Sequence, residues 1–345
     1  MNGTAQEIKE SIAPGLLEEQ APPRRSAPPA PALRPVVLMA FPVGVLLAFG
    51  IHAWAGRNQP AVENQSYLIF LGVVAVLAVF VSIVQKVVSP VRRWLAHMGP
   101  ILAAAMILLG LWETITSGLR WLPMPYFPGP PGVLQSMLND RALLFDSTWH
   151  SLLLLLSGYA LGVSVALVTG ICIGWFSAAR YWGMPLLKVV GPIPATAWVP
   201  LAMVVSPSAM FSAVGLIALA VWFPVTMLTV SGISNTKASY LDVARTLGAR
   251  PGYLIFRVAI PAAMPSIFIG LFMGLGTSFL TLIVAETVGV KSGLGWYVSW
   301  AQGWAEYGKV YAALIIMAAF FSTIMTGLFK VRDRVLVWQK GVIKW

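Results

Sequence analysis

An all-α, polytopic membrane fold of about eight transmembrane helices is predicted by three observations on this 345-residue chain. Hydrophobic residues make up 58% of it and charged residues only 10%, against roughly a quarter charged in an ordinary soluble domain. Apolar runs near or above the ~18 residues needed to cross a bilayer recur along the chain. The cations sit in the short segments between those runs, which follows membrane topology.

Residues 1–34 are polar and Pro/Ala-rich, with acids at Glu7, Glu10, Glu18 and Glu19; they read as a disordered cytoplasmic tail. The first apolar stretch is too long for a signal-peptide core and leads into further spans. Eight spans are expected at 36–55, 67–85, 100–118, 150–174, 184–205, 211–231, 264–289 and 310–329. The first two form an N-terminal extension over 35–99, and the other six a core over 100–345. Starting inside, the cytoplasmic segments hold seventeen Lys and Arg and the outer segments five, Arg57, Arg120, Arg141, Lys291 and Lys309. That excess places both termini in the cytoplasm. Lys188 can snorkel to the inner surface from the end of the fifth span. Trp121, Tyr126, Tyr181, Trp182, Trp296, Tyr297, Trp300 and Trp304 cluster near span ends, as interfacial aromatic belts do.

The net charge of +11 does not point to nucleic acid, because the cations never interleave with aromatics in one soluble domain. The single cysteine, Cys172, lies in an apolar run and supports neither a disulfide nor a Cys-based metal site within one chain. His52, His97 and His150 show no metal-ligand spacing. Neither a Gly-x-Ser-x-Gly elbow nor a His-Glu-x2-His motif occurs, so enzyme chemistry has no sequence support.

The fourth span carries Gly158, Gly162, Ala166, Gly170 and Gly174 on one helix face, and the seventh carries Gly270 and Gly274. Small residues so spaced allow another helix to approach closely. In the fifth span, Pro192, Pro194 and Pro200 interrupt the run Gly191 to Leu201. Each removes a backbone N–H, and irregular backbone at membrane depth survives only inside protein or beside an aqueous cavity. The segment is either the lining of a translocation path or a structural kink. Glu113 and Glu286 lie within or near spans, where a carboxylate must face protein or water.

The polar loop 235–264 is the most specific feature. Ser239 and Asp242 have capping-box spacing, and the helix they open would run through Leu247 and stop at Gly248 in a left-handed cap. Pro251 would open a second short helix to Val258, which Pro261 would end. With apolar Leu241, Val243, Ala244 and Leu247 and basic Arg245, Arg250 and Arg257, this helix-turn-helix presents a surface for a protein partner.

Asp242-Val243-Ala244, Gly248 six residues after Asp242, then Val258, Ile260 and Pro261 resemble the loop motif Glu-Ala-Ala-x3-Gly-x9-Ile-x-Leu-Pro of binding-protein-dependent ABC importer permeases. The departures, Asp242 for Glu, Val243 for Ala, Val258 for Ile and Ile260 for Leu, are conservative. The resemblance runs from about Ile101 to Trp345 and is strongest to the nitrate, taurine, alkanesulfonate and bicarbonate class. Trp112-Glu113, the Ile193-Pro194 to Pro200-Leu201 run, Phe223-Pro224, Ala285-Glu286, Gly293-Leu294-Gly295 and the Trp338 region carry that likeness. Residues 1–99 have no counterpart in the usual six-span core.

The resemblance implies a bacterial plasma (inner) membrane complex of two permease subunits, two ATP-binding subunits and an extracytoplasmic solute-binding protein. This chain would hold no cofactor of its own, and it contains no Gly-x4-Gly-Lys-Ser/Thr phosphate cradle. By position, Ser239, Tyr240, Leu241, Asp242, Val243, Ala244, Arg245, Leu247, Gly248 and Ala249 would form the helix that couples to the ATPase. Pro192, Pro194, Thr196, Ala197, Trp198, Pro200 and Glu286 would lie beside the substrate path. The substrate implied is a small anion or zwitterion such as nitrate, taurine or an alkanesulfonate. The alternative, an ion-coupled secondary transporter, would need several intramembrane ionisable groups, and Glu113 and Glu286 make a thin set.

Overall fold

The computed structural model describes residues 35–56 and 61–338; the tail expected over 1–34 lies outside them. The described residues are helical and contain no strand. We label the helices α1 (Pro35–Ala55), α2 (Ala61–Val84), α3 (Ser89–Glu113), α4 (Pro130–Asn139), α5 (Arg141–Trp175) and α6 (Ser177–Val190). There follow α7 (Val199–Val205), α8 (Ala209–Ser234), α9 (Ala238–Thr246), α10 (Pro251–Val288), α11 (Leu294–Gly303) and α12 (Tyr307–Val335).

The expected apolar runs fall on helix apart from a break at 191–194 within the fifth, and six helices are long and apolar enough to cross a membrane: α2, α3 with the π-helical turn that follows it, α5, α8, α10 and α12. A seventh crossing would be α6 together with Ala195–Val205, which meet at 83°. The apolar part of α1, Met39–Ala55, is shorter. Large apolar side chains stay exposed along α2, among them Ile69, Val76 and Phe80, as a surface turned to lipid requires.

Contacts divide the chain into two compact units. Among the described residues, one holds those up to Gly50 together with Leu71–Gly110; the other holds those within Ile51–Phe70 and those from Leu111 onward. In the first, Val45, Ala48, Leu71, Ala78 and Leu95 are buried. There Gly44 comes so near Ala103 that a Cβ on it would stand 3.0 Å from the Ala103 Cα.

The second unit is organised around α8, of whose most apolar window 56% is buried, against 17% for α12. The small-residue stripe of α5, from Gly158 through Gly174, is buried. It packs on α8, where Gly158 faces Ile217, Gly170 faces Thr229 and Gly174 faces Ile233. Gly270 and Gly274 of α10 close on the same helix at Val225 and Val221. The sequence therefore located both faces that carry the packing, and α8 is what they share.

The closest approach of backbone between α5 and α8 makes a measurable prediction. A Cβ on Gly162 would stand 2.7 Å from the Ala218 carbonyl oxygen and 2.9 Å from its Cα, whereas a Cβ on Gly215 would meet nothing within 4 Å. Gly162→Ala is expected to lower stability by ~1–3 kcal/mol, the usual cost of overpacking, because backbone cannot step aside. Gly215→Ala should leave the unfolding temperature in detergent unchanged or slightly raised, as Ala favours helix over Gly.

Candidate functional site

The polar loop folds close to expectation at its centre and differs at both ends. Helix α9 begins after Lys237, which is already extended at φ −56° and ψ 128° and supplies no side-chain cap. Ser239 is thus inside the first turn, where a helical residue cannot serve as N-cap, and the expected capping box is absent. Asp242 Oδ1 instead accepts a 2.9 Å hydrogen bond from Arg245 Nη1, one turn along.

At the other end Gly248 takes φ +81°, with its N–H donating to the Arg245 carbonyl at 2.9 Å and the Ala249 N–H to Ala244 at 3.0 Å. This pair of bonds is a Schellman motif, which satisfies carbonyls that the helix end leaves orphaned.

The second short helix was expected to stop at Pro261. It does not; Pro251 opens a helix that continues to Val288, with a π-helical stretch over Leu254–Ala259. Pro261 has no N–H for the carbonyl four residues back, and its ring crowds that carbonyl. Wider i→i+5 bonding just before it shifts the hydrogen-bond register and lets the helix pass.

Almost all of α9 is exposed, including Tyr240 at 53%, Val243 at 60% and Leu247 at 83%. Those three lie at i, i+3 and i+7, so they form one apolar stripe. The stripe borders a concavity of about 660 Å³ that Ala244, Gly248, Ala249, Arg250, Tyr253 and Arg257 also line. Leu241 is half-buried, while Ser239, Asp242 and Arg245 are exposed.

The proline-rich segment is the 83° break itself. Pro194 is extended at φ −62° and ψ 139° and leads into a 3-10 turn, Ala195–Trp198, before α7. Pro192, Pro194, Ala197 and Pro200 are exposed, and Thr196 and Trp198 are half-buried. Phe223 of α8 lies so close to Gly191 that a Cβ there would stand 2.0 Å from its ring, so the Phe223-Pro224 pair abuts the bend.

Glu286 has a different setting. Its Oε1 accepts from Ser151 Oγ at 2.6 Å and its Oε2 from the Gly295 N–H at 2.7 Å, while Ser151 Oγ accepts from the Leu294 N–H at 2.9 Å. Glu286 and the Ser151 hydroxyl thus satisfy two of the free amides at the α11 N-terminus. Gly293, at φ +98°, is required here twice, since a Cβ would also stand 2.2 Å from Glu286 Oε1. Glu286 lines none of the cavity described next.

That cavity, of about 270 Å³, lies between α7 and α8 and is lined by Trp198, Leu201, Ser212 and Leu216 among others. Two further buried arrangements escaped sequence reasoning. Ser151 offers no motif by which its capping role could be read. His52 Nδ1 stands 2.7 Å from Glu113 Oε1, a pairing 61 residues apart in sequence with no local spacing to announce it. Beside it the Tyr67 ring meets the His52 ring edge-on at 4.9 Å.

Residues 158–336 match the family described as binding-protein-dependent transport system inner membrane component. A probable ABC transporter permease protein of Haemophilus influenzae is 29% identical over 46% of this chain and 64% of its own length. The bicarbonate transport system permease protein CmpB of Synechocystis is 29% identical over 51% of this chain and 68% of its own. The taurine transport system permease protein TauC of Escherichia coli is 27% identical over 46% and 60%. The chain thus spans less than two thirds of the Haemophilus and Escherichia relatives. The matched stretch begins at the small-residue face of α5 and takes in the bend, α9 and the capped α11, and on it the chain belongs to the binding-protein-dependent transport inner membrane component family, multi-pass membrane proteins of transport and not enzymes.

Proposed function

We propose that this chain is the permease subunit of an ATP-driven importer, that it forms the solute path across the membrane, and that α9 seats in a separate ATP-binding subunit. The observation that carries the reading is the exposed stripe Tyr240, Val243 and Leu247 on a short helix capped at Gly248, inside the family-matched stretch. An apolar stripe on a helix outside the spans is stabilised by burial against a partner. In this reading the residues from Ser239 to Ala249 form the coupling element, and Pro192, Pro194, Thr196, Ala197, Trp198 and Pro200 border the path. The carboxylate of Glu286 serves that path indirectly, by fixing α11.

A second copy of the chain would cover the apolar face that α7 and α8 leave open, where Leu201, Val204, Val205 and Phe211 are exposed. An extracytoplasmic solute-binding protein would deliver the solute. The likeness to bicarbonate and taurine permeases favours a small anion or zwitterion. Residues 35–99 are then an addition to the six-span core of 100–345.

Orientation follows from charge: seventeen Lys and Arg on the segments assigned to the cytoplasm, against five outside. A reporter fused after Lys344 is expected to be cytoplasmic, and one inserted near Glu63 external. A cytoplasmic Glu63 reporter would put α9 on the wrong side for an ATPase. The function itself is tested by reconstituting the chain with an ATP-binding subunit and a solute-binding protein in liposomes. ATP-dependent accumulation of bicarbonate or taurine is expected, and uptake driven by an ion gradient without ATP would replace the importer by a secondary transporter.

A further inference from the structure

We propose that the indole N–H of Trp198 and the hydroxyl of Ser212 are a donor pair that hydrogen-bonds a small oxyanion as it passes the bend. The inference deepens the importer reading and rests on it. It starts from two atoms. Trp198 Nε1 and Ser212 Oγ are both buried polar atoms without a hydrogen-bond partner. Ser212 is buried as a whole, at 4% exposure. Both residues line the cavity of about 270 Å³ between α7 and α8. Buried polar groups in folded proteins are overwhelmingly paired, and one left unpaired carries a standing cost that a ligand can relieve.

The chemistry of the two groups selects the ligand. An indole N–H only donates, and a hydroxyl donates one hydrogen bond. The remaining lining is apolar apart from Ser206, and it includes no Asp, Glu, Lys or Arg. A cation would find no carboxylate there and would lose its hydration without return. An oxygen-rich anion can accept from both donors, and charge-assisted bonds of this kind exceed neutral ones in strength.

The missing fixed cation has its own consequence. A lysine or arginine in the lining would hold the anion tightly, whereas two neutral donors give a weak site, which a path needs if the solute is to leave as readily as it enters. Position supports the same reading. Trp198 ends the 3-10 turn that follows the proline break, and Ser212 sits in the first turns of α8, which begins at Ala209. The donor pair thus joins the turn that follows the break to the start of the next long helix, and Leu201 and Val205, exposed at 55% and 74%, leave the cavity open toward the face assigned to the second copy.

The test uses the full chain in lipid nanodiscs, with 15N in its 14 tryptophan indoles. The Trp198 resonance is assigned by its loss in Trp198→Phe, which keeps an aromatic ring and removes the donor. Sodium bicarbonate, sodium methanesulfonate and taurine are titrated, with sodium chloride and choline chloride at matched ionic strength as controls. The expected result is a saturable downfield shift of the Trp198 indole with the oxyanions, absent with the chlorides. Ser212→Ala should weaken the apparent affinity about tenfold, the effect of losing one hydrogen bond to a charged group, with the other indole resonances in place as the check on folding. No shift in the folded protein, an equal shift with choline chloride, or an unchanged affinity in Ser212→Ala would each overturn the assignment. The measurement involves no ATPase, so its failure would leave the importer reading to the uptake assay.

Discussion

Gly248→Val is expected to reach the membrane in normal amount and to lose most of its ability to retain an ATP-binding subunit. The glycine sits at φ +81° with nothing within 4 Å of where a Cβ would stand, so the substitution meets no steric contact and its whole cost is in the backbone. Left-handed backbone costs an ordinary L-residue roughly 1–2 kcal/mol, and a β-branched residue there is a genuine outlier. The cheapest relief is to rotate out of the left-handed region, which breaks the bonds from Gly248 to Arg245 and from Ala249 to Ala244. The α9 C-terminus would then fray, and Leu247, the end of the apolar stripe, would lose its position. Insertion depends on the long apolar helices, which the change does not touch. Gly248→Asn should keep most of the wild-type behaviour, because Asn tolerates this conformation. Co-purification of the ATPase with each variant, with uptake measured in the same preparation, decides the matter. A Gly248→Val protein that holds its ATPase and transports normally would remove α9 from the coupling role.

What could be read from the sequence follows the range of the interactions involved. The helices were legible because bilayer crossing imposes length and apolarity on contiguous residues. The α5 stripe was legible because small residues repeat at helical spacing, and the left-handed glycine because few other residues accept that backbone. The capping box failed by position: Ser239 and Asp242 have the right separation, yet the chain turns helical before Ser239. Spacing alone does not say where a helix starts. Pro261 misled in the other direction, since a π-helical stretch absorbs the missing N–H and local rules count only the α register. The pairings of Ser151 with Glu286 and His52 with Glu113 join residues distant in sequence, and only the assembled fold brings them together. Glu286, assigned to the path by family position, is held by Ser151 and the Gly295 N–H, partners that its place in a motif does not name.

Glu113→Ala is expected to be among the most destabilising single changes in the protein, with a loss of ~2–5 kcal/mol, because it opens a cavity and takes a hydrogen-bond partner from a buried polar group. Glu113 is fully buried and His52 is 4% exposed, so water cannot replace either group. One proton lies between His52 Nδ1 and Glu113 Oε1 across the 2.7 Å contact, since one of the two must donate to the other. His52 lies on α1 and Glu113 at the end of α3, and the same neighbourhood holds two more contacts between residues far apart in sequence. Trp54 lies against Gly118, where a Cβ would stand 2.3 Å from its ring, and Ser66 Oγ donates to Gln135 Oε1 at 2.6 Å. We read the His52 contact as the most buried polar member of a clamp that ties Ile51–Phe70 to the residues after Leu111. Its test is a double-mutant cycle read by thermal unfolding in detergent. His52→Leu and Glu113→Leu should each be strongly destabilising, because each leaves the other polar group buried without this partner. The double variant should regain much of the loss, since a buried pair replaced by well-packed apolar side chains is often neutral. Single variants whose losses simply add in the double would show two independent packing defects and no clamp. Deletion of residues 1–99 should destabilise the wild-type core, and Glu113→Leu should partly rescue the truncated chain, which no model of an independent extension predicts.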